Sequence, residues 1–153
     1  MDLILWRHAE AHEAEPGDED LARELTARGE KQASRMAAWL DRQLPQGTRL
    51  LASPARRTEQ TIAALGRKYK LSDALVPDST VDQLLAAVQW PDARGATLVV
   101  GHQPVLGQTV AHLLGMQPAL CAVRKGSVWW LRHRVREGVA QTVLLAVHSP
   151  ELL

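Results

Sequence analysis

Leu3-Ile4-Leu5-Trp6-Arg7-His8-Ala9-Glu10-Ala11 is the stretch from which the fold is read. An apolar run of strand length stops at an arginine and a histidine, and the carboxyl edge of such a strand is where open α/β sheets bind ligands. Arginine offers a rigid fork of donors suited to phosphate or carboxylate. Histidine is the side chain best able to act as nucleophile or proton carrier near neutral pH. The pair points to a phosphate site, but a dipeptide this short is more often a solvated strand end, so the rest of the chain must decide.

The arrangement recurs. Thr97-Leu98-Val99-Val100 is the clearest strand after the first and stops at Gly101-His102-Gln103-Pro104. Pro104 then starts a helix carrying Leu106, Val110, Leu113 and Leu114 that Gly115 closes. A lone histidine there is usually structural; His102 is informative because it repeats the position of His8. Leu50-Leu51-Ala52 reads as another short strand, running into Ser53-Pro54 as a helix start with Ser53 as N-cap. Ile62, Leu65 and Tyr69 are expected to point inward from that helix. Arg56 and Arg57 fall in its first turn, where free backbone N–H groups and the helix dipole favour an anion, and one of them is expected at the site.

The remaining segments frame these strand ends. The acidic stretch from His12 to Asp20 reads as a solvated loop, with a role at the rim of the site as the alternative because it leaves the edge bearing His8. Thr26 is expected to cap a helix with Ala33, Met36, Ala37, Leu40 and Leu44 at helical spacing, ended by Pro45 and Gly47. Arg23, just ahead of it, is within reach of the site, although an exposed arginine is the commoner outcome. A weaker strand is expected at Ala74-Leu75-Val76, followed by Pro77-Asp78 and a short helix with Leu84, Leu85 and Val88. Asp78 thereby stands at a further strand end as a candidate proton donor, against the more usual role of a cap or turn residue. Val128 to Arg136 and Val139 to Val147 read as a hairpin around Glu137-Gly138, with Trp129 and Trp130 on opposite faces. His133 and His148 stand there alone and are read as structural.

Composition removes several function classes. The 153 residues suit one domain, and a formal charge of +1 gives no basic patch for nucleic acid and no polybasic stretch for a membrane surface. No apolar run approaches the ~20 residues of a spanning helix, so a soluble, cytoplasmic protein is expected. The single cysteine, Cys121, excludes an intramolecular disulfide and the cysteine-rich zinc sites, and is read as a buried thiol. His8-Ala9-Glu10 has the shape of half a zinc deaminase signature, but the other half needs two cysteines. His8 and His12 are four apart, yet alanine stands where a zinc protease has glutamate. No Walker loop and no G-x-G-x-x-G occurs.

Four ordered segments resemble the histidine phosphatases, and within them the small phosphohistidine phosphatases of the SixA type. They are Trp6-Arg7-His8-Ala9-Glu10-Ala11, Arg23-Glu24-Leu25-Thr26-Ala27-Arg28-Gly29, Ser53-Pro54-Ala55-Arg56-Arg57-Thr58-Glu59-Gln60-Thr61 and Val99-Val100-Gly101-His102-Gln103-Pro104. The resemblance implies the phosphoglycerate mutase-like fold: three α/β/α layers around a mostly parallel sheet, with a C-terminal antiparallel hairpin. It implies one domain over residues 1–153 without a lid subdomain.

It also implies His8 as the phosphorylated nucleophile, with Arg7, Arg57 and His102 binding the phosphoryl oxygens; the family's spacing after Ser-Pro selects Arg57 over Arg56. The family's usual glycine after the nucleophile is Ala9 here, which is tolerated if the backbone φ there is negative. Glu24 replaces a usual proline after the arginine. Larger members use a carboxylate as general acid, for which Asp78 is only a positional candidate.

The expected reaction removes a phosphoryl group from a protein histidine through a phosphohistidine on His8. Positive charge would come from the arginines, without metal or cofactor. The expected partner is a protein bearing phosphohistidine, of which a histidine-containing phosphotransfer domain is an example. The expected form is a monomer that binds neither nucleic acid nor membrane. Two other readings stand beside it: a phosphatase of a small phosphorylated metabolite, and a noncatalytic module that grips phosphate or phosphohistidine. About twenty residues from Val76 to Thr97 are few for a helical lid, and an open site suits a phosphoryl group on a protein surface.

Overall fold

Alternation along the strands sorts the apolar residues onto two sheet faces. The computed structural model describes residues 1–153. It contains β1 (Asp2–Arg7), α1 (Ala27–Gln43), β2 (Arg49–Ala52), α2 (Arg56–Ala63), β3 (Lys70–Leu71), α3 (Val81–Val88), β4 (Ala96–Gly101), α4 (Val105–Leu114), β5 (Val128–Arg136) and β6 (Val139–His148). Ile4 and Trp6 of β1 meet Leu98 and Val100 of β4, and Val128 and Trp130 of β5, on the face covered by Met36, Ala37 and Leu40 of α1 and Ile62 of α2. Leu3, Leu5, Val99 and Leu131 point the other way, towards Leu84 and Val88 of α3 and Leu106 and Val110 of α4. Cys121 belongs to this second cluster, where burial pushes its thiol pKa up. Three α/β/α layers result, and each fully buried Leu or Met contributes about 1.5–3 kcal/mol.

The sheet order is β3-β2-β4-β1-β5-β6. The first four strands are parallel, β5 runs antiparallel to β1, and β6 antiparallel to β5. The hairpin turn holds Glu137 at φ 51° and Gly138 at φ 76°, the two left-handed residues of a type I′ turn. Trp129 and Trp130 do face opposite layers. His148 packs on Trp39 with ring centroids 4.3 Å apart and the rings tilted by 48°, and His133 lies 5.8 Å from Trp90, both as packing partners. No helix is long and apolar enough to cross a membrane.

Two predicted elements differ. The strand expected at 74–76 is part of a 3-10 turn, Asp73–Leu75, whose Ser72 side chain accepts from the Ala74 N–H; the strand is instead the two-residue β3. Leu75 is buried from a turn rather than a pleat. α2 begins at Arg56 with Ala55 as N-cap and no side-chain cap, so Ser53 is not the cap. It ends at Ala63, which leaves Leu65 and Tyr69 beyond the helix, though both still pack on its core. α1, in contrast, starts as expected: the Thr26 side chain accepts from the Gly29 N–H.

Candidate active site

Because β1, β2 and β4 are parallel neighbours, their carboxyl ends share one edge, and the residues just past them converge. The His8 N–H donates to the Gly101 carbonyl, and the Ser53 N–H to the Val100 carbonyl, so three strand ends are tied together by backbone bonds at 3.1 Å. The rings of His8 and His102 lie with centroids 5.4 Å apart, tilted by 57°. The two are 5% and 2% exposed.

Each imidazole is held in one tautomer. His8 Nδ1–H donates to the Ala9 carbonyl at 2.7 Å, which leaves its Nε2 lone pair free. The Ala9 N–H in turn donates to Thr61 Oγ1 of α2 at 3.1 Å, and Ala9 keeps a negative φ, so alanine serves where a glycine was usual. His102 Nδ1 accepts from Arg57 Nη2 at 3.4 Å, which puts the proton of the neutral ring on Nε2, donating to Ser53 Oγ at 2.7 Å. Ser53 is fully buried and serves this histidine instead of the helix.

Both histidines are neutral at ordinary pH. Burial chiefly lowers the His8 pKa to about 3; His102, once protonated in acid, and the guanidiniums of Arg57 and Arg7 add to this, against the backbone bond to Ala9. Burial likewise lowers His102 to about 4, aided by Arg57 and opposed by Asp20.

Of the paired arginines, Arg57 turns inward and is 4% exposed, whereas the side chain of Arg56 is 58% exposed and pairs with Glu24. Arg7 donates through Nη1 to the Val123 carbonyl at 2.9 Å, and burial lowers its pKa. The Nε atoms of Arg7 and Arg57 are buried without a partner, so neither guanidinium is fully satisfied by protein groups. Two incompletely bonded cations around two neutral imidazoles form a seat for an anion.

Arg23 lies at the rim, its Nε donating to the His12 carbonyl at 2.7 Å and its Nη1 to Asp20 Oδ1 at 3.0 Å. Asp78 is exposed in the turn after the 3-10 segment, not at a strand end, and no hydrogen bond or ion pair links it to His8, His102 or the arginines. Sequence reasoning missed two contributors. Asp20 sits in a 3-10 turn, Asp20–Ala22, and pairs with Arg57 at 3.0 Å. Ser53, which fits a cap in the sequence, instead meets His102 Nε2 at 2.7 Å. The only sequence signals available were that the acidic loop leaves the strand end carrying His8, and that Ser53 ends a strand beside two arginines.

The chain is similar to known proteins in sequence and in fold. The model of the histidine phosphatase superfamily (branch 1) matches residues 3–78. The chain is 32% identical over 121 residues to phosphohistidine phosphatase SixA of Escherichia coli (strain K12), covering 74% of each chain. It is 30% identical over 132 residues to the phosphohistidine phosphatase SixA homolog of Haemophilus influenzae, covering 75% of this chain and 78% of that one. The solved structure of the protein histidine phosphatase SixA complexed with tungstate superposes with a TM-score of 0.81 at 26% identity, covering 99% of both chains. On sequence and fold together, this chain belongs to the histidine phosphatase superfamily and is a phosphatase that works through a histidine nucleophile.

Proposed function

We propose that this enzyme is a phosphohistidine phosphatase, with His8 as nucleophile and Arg7, Arg57 and His102 as the groups that hold the phosphoryl oxygens. The observation that carries the assignment to His8 is the Nδ1–H bond to Ala9: it fixes the tautomer and leaves Nε2 as an unprotonated, buried lone pair beside the cations. Tungstate, a tetrahedral oxyanion like phosphate, is bound by the superposable SixA structure, which supports the same kind of seat here.

His8 Nε2 attacks phosphorus in line, forming an N–P bond as the bond from phosphorus to the substrate nitrogen breaks. Charge spreads over three equatorial oxygens, where two guanidiniums and a second imidazole stabilise it. A phosphoryl dianion draws a proton onto His102 Nδ1, which then donates to the anion instead of accepting from Arg57. The departing imidazole leaves readily once its other nitrogen is protonated, so this substrate makes a small demand on a dedicated acid. Water then attacks the phosphohistidine, releasing inorganic phosphate and restoring the His8 lone pair.

The protein-bound substrate is favoured by what α3 does. Leu84 and Val88 are buried against α4 and the sheet, so the helix between β3 and β4 is spent on a packed layer, which favours a phosphoryl group presented on another protein.

The test is to offer phosphorylated histidine-containing phosphotransfer proteins beside a panel of phosphometabolites and to trap the enzyme by denaturation. An acid-labile, base-stable phosphate on His8, with the higher kcat/KM for the phosphoproteins, is expected. His8→Ala should lower turnover by at least ~10³-fold, as loss of a covalent nucleophile does. Normal rates in that variant, or binding without turnover or label, would sink the assignment.

A further inference from the structure

The two flanks of the proposed phosphoryl seat carry opposite charge. β5 is antiparallel to β1, so its start lies at the same sheet edge as the end of β1, on the side away from β4. The loop entering β5 is anchored there: the Gly126 N–H donates to the carbonyls of both Arg7 and His8 at 3.1 Å. A cleft of about 310 Å³ opens on this flank, and apart from Gln32 its lining is charged: Arg7 of the seat, Arg28 from the first turn of α1, Arg124 and Lys125 from the anchored loop, and the carboxylates Glu10 and Glu151. Those two carboxylates are spoken for. Glu151 pairs with Arg124 at 2.7 Å, Glu10 accepts from Thr26 Oγ1 at 2.7 Å, and Arg28 stands off Glu10 at 3.9 Å. Lys125 is exposed and has no carboxylate partner.

The opposite flank, beyond Arg57 and Asp20, is lined by Glu13, Asp18, Glu19 and Glu24 with Arg23 and His12. The mouth is therefore cationic on the β5 side and anionic on the α2 side, and Arg7 lies in the cationic cleft while belonging to the seat itself. A protein approaching with its phosphohistidine meets a field that favours one orientation and opposes the reverse.

We infer that Arg28 and Lys125 form a docking rim that receives carboxylates lying to one side of the phosphohistidine on the substrate protein. The inference rests on the phosphohistidine reading above and adds to it the charge that the substrate surface must carry and the residues that read it. Arg124, already engaged by Glu151, braces the loop; Lys125 has no carboxylate partner, and Arg28, whose side chain is 72% exposed, makes only a long 3.9 Å pair with Glu10 that an arriving carboxylate can outcompete.

The test uses two synthetic phosphohistidine peptides of one length, identical except that the residues flanking the phosphohistidine on one side are Asp and Glu in the first and Lys in the second. The intact enzyme is expected to show a kcat/KM at least roughly tenfold higher for the acidic peptide, a preference that fades as salt is raised. In the Arg28→Glu, Lys125→Glu double variant the ratio should fall below one because the basic peptide is turned over faster than by wild type, a gain that a misfolded protein cannot give. A wild-type ratio near one, or a ratio that the double variant leaves unchanged, overturns the rim. Turnover of a small phosphate ester with neither peptide hydrolysed overturns the phosphohistidine reading itself, and the rim with it.

Discussion

Asp20 grips Arg57 at two points: its carboxylate Oδ2 accepts from Nη2 at 3.0 Å and its backbone carbonyl accepts from Nη1 at 2.8 Å. Burial works against the charge on Asp20, but hydrogen bonds from Arg23 and Arg57 outweigh it and hold the carboxyl below its ordinary pKa. Asp20 thus does two opposing things: it aims the guanidinium, and it takes up N–H groups that an arriving phosphate would use.

Replacing Asp20 by alanine separates these effects. With the carboxylate gone, inorganic phosphate should inhibit more tightly, since its competitor for Arg57 is removed. At the same time kcat should fall roughly tenfold, the consequence of losing about 1.5 kcal/mol of charge-assisted positioning. Steady-state kinetics with phosphate as inhibitor reads both numbers, and a variant in which neither moves would show that Arg57 is held by its burial alone.

Asp20 also marks where the sequence stopped being legible. The pairing with Arg57 spans 37 residues, so nothing local distinguishes Asp20 from the other acids of its loop. Ser53 misled for a related reason: Ser-Pro before a helix fits a cap, but the backbone does not turn helical until Arg56, and the hydroxyl is claimed by a histidine 49 residues away. β3 has two exposed residues, Lys70 and Leu71, too few for any alternation to show, while buried Leu75 imitated a strand from within a 3-10 turn. By contrast β1 and β4 are apolar on both faces, as strands covered by two helical layers must be, and their ends located His8 and His102 without further help.

Gly29 in the first turn of α1 is required by contact. A Cβ there would run into the Glu10 carbonyl, and that carbonyl also accepts the Thr26 N–H at 3.1 Å. Gly29→Ala must therefore push the helix off the loop that follows His8. A loss of about 1–3 kcal/mol in unfolding free energy is expected from such overpacking, accompanied by lower activity because Ala9, which orients the His8 ring, is adjacent. Urea unfolding with parallel kinetics checks this; unchanged stability would mean that the loop yields freely.

Asp2 ties β1 to β5. Its carboxylate accepts from Arg132 Nε at 2.7 Å and Nη2 at 2.9 Å, and from Trp130 Nε1 at 3.0 Å. Burial raises its pKa, but these bonds outweigh it and the net shift is down from 3.8. A depressed carboxylate contributes stability that is fully present above its unfolded pKa and is lost as pH falls through the folded value. Asp2→Asn should cost about 1–3 kcal/mol near neutrality. The gap between the two proteins should close below about pH 4, the ordinary carboxylate range. A gap that stays constant into strong acid would assign the effect to packing rather than charge.

The two buried histidines of the proposed seat lose stability in the same direction, at higher pH and for a different reason. In the folded protein His8 is lowered to about 3 and His102 to about 4, against 6.5 for both when exposed. Between about pH 6.5 and those values the unfolded chain binds protons that the native state refuses, so stability should fall steadily as pH drops through this window. His8→Ala removes one of the two refusing groups and should make that decline shallower, even though it leaves a small cavity. In the same window NMR of the ligand-free enzyme should show both rings neutral. Saturating tungstate should move the His102 titration upward, because an anion against Nδ1 favours the imidazolium that burial and Arg57 disfavour. Were His102 to titrate at the same pH with and without tungstate, it would not be touching the anion, and the seat would have to be drawn from His8 and the arginines alone.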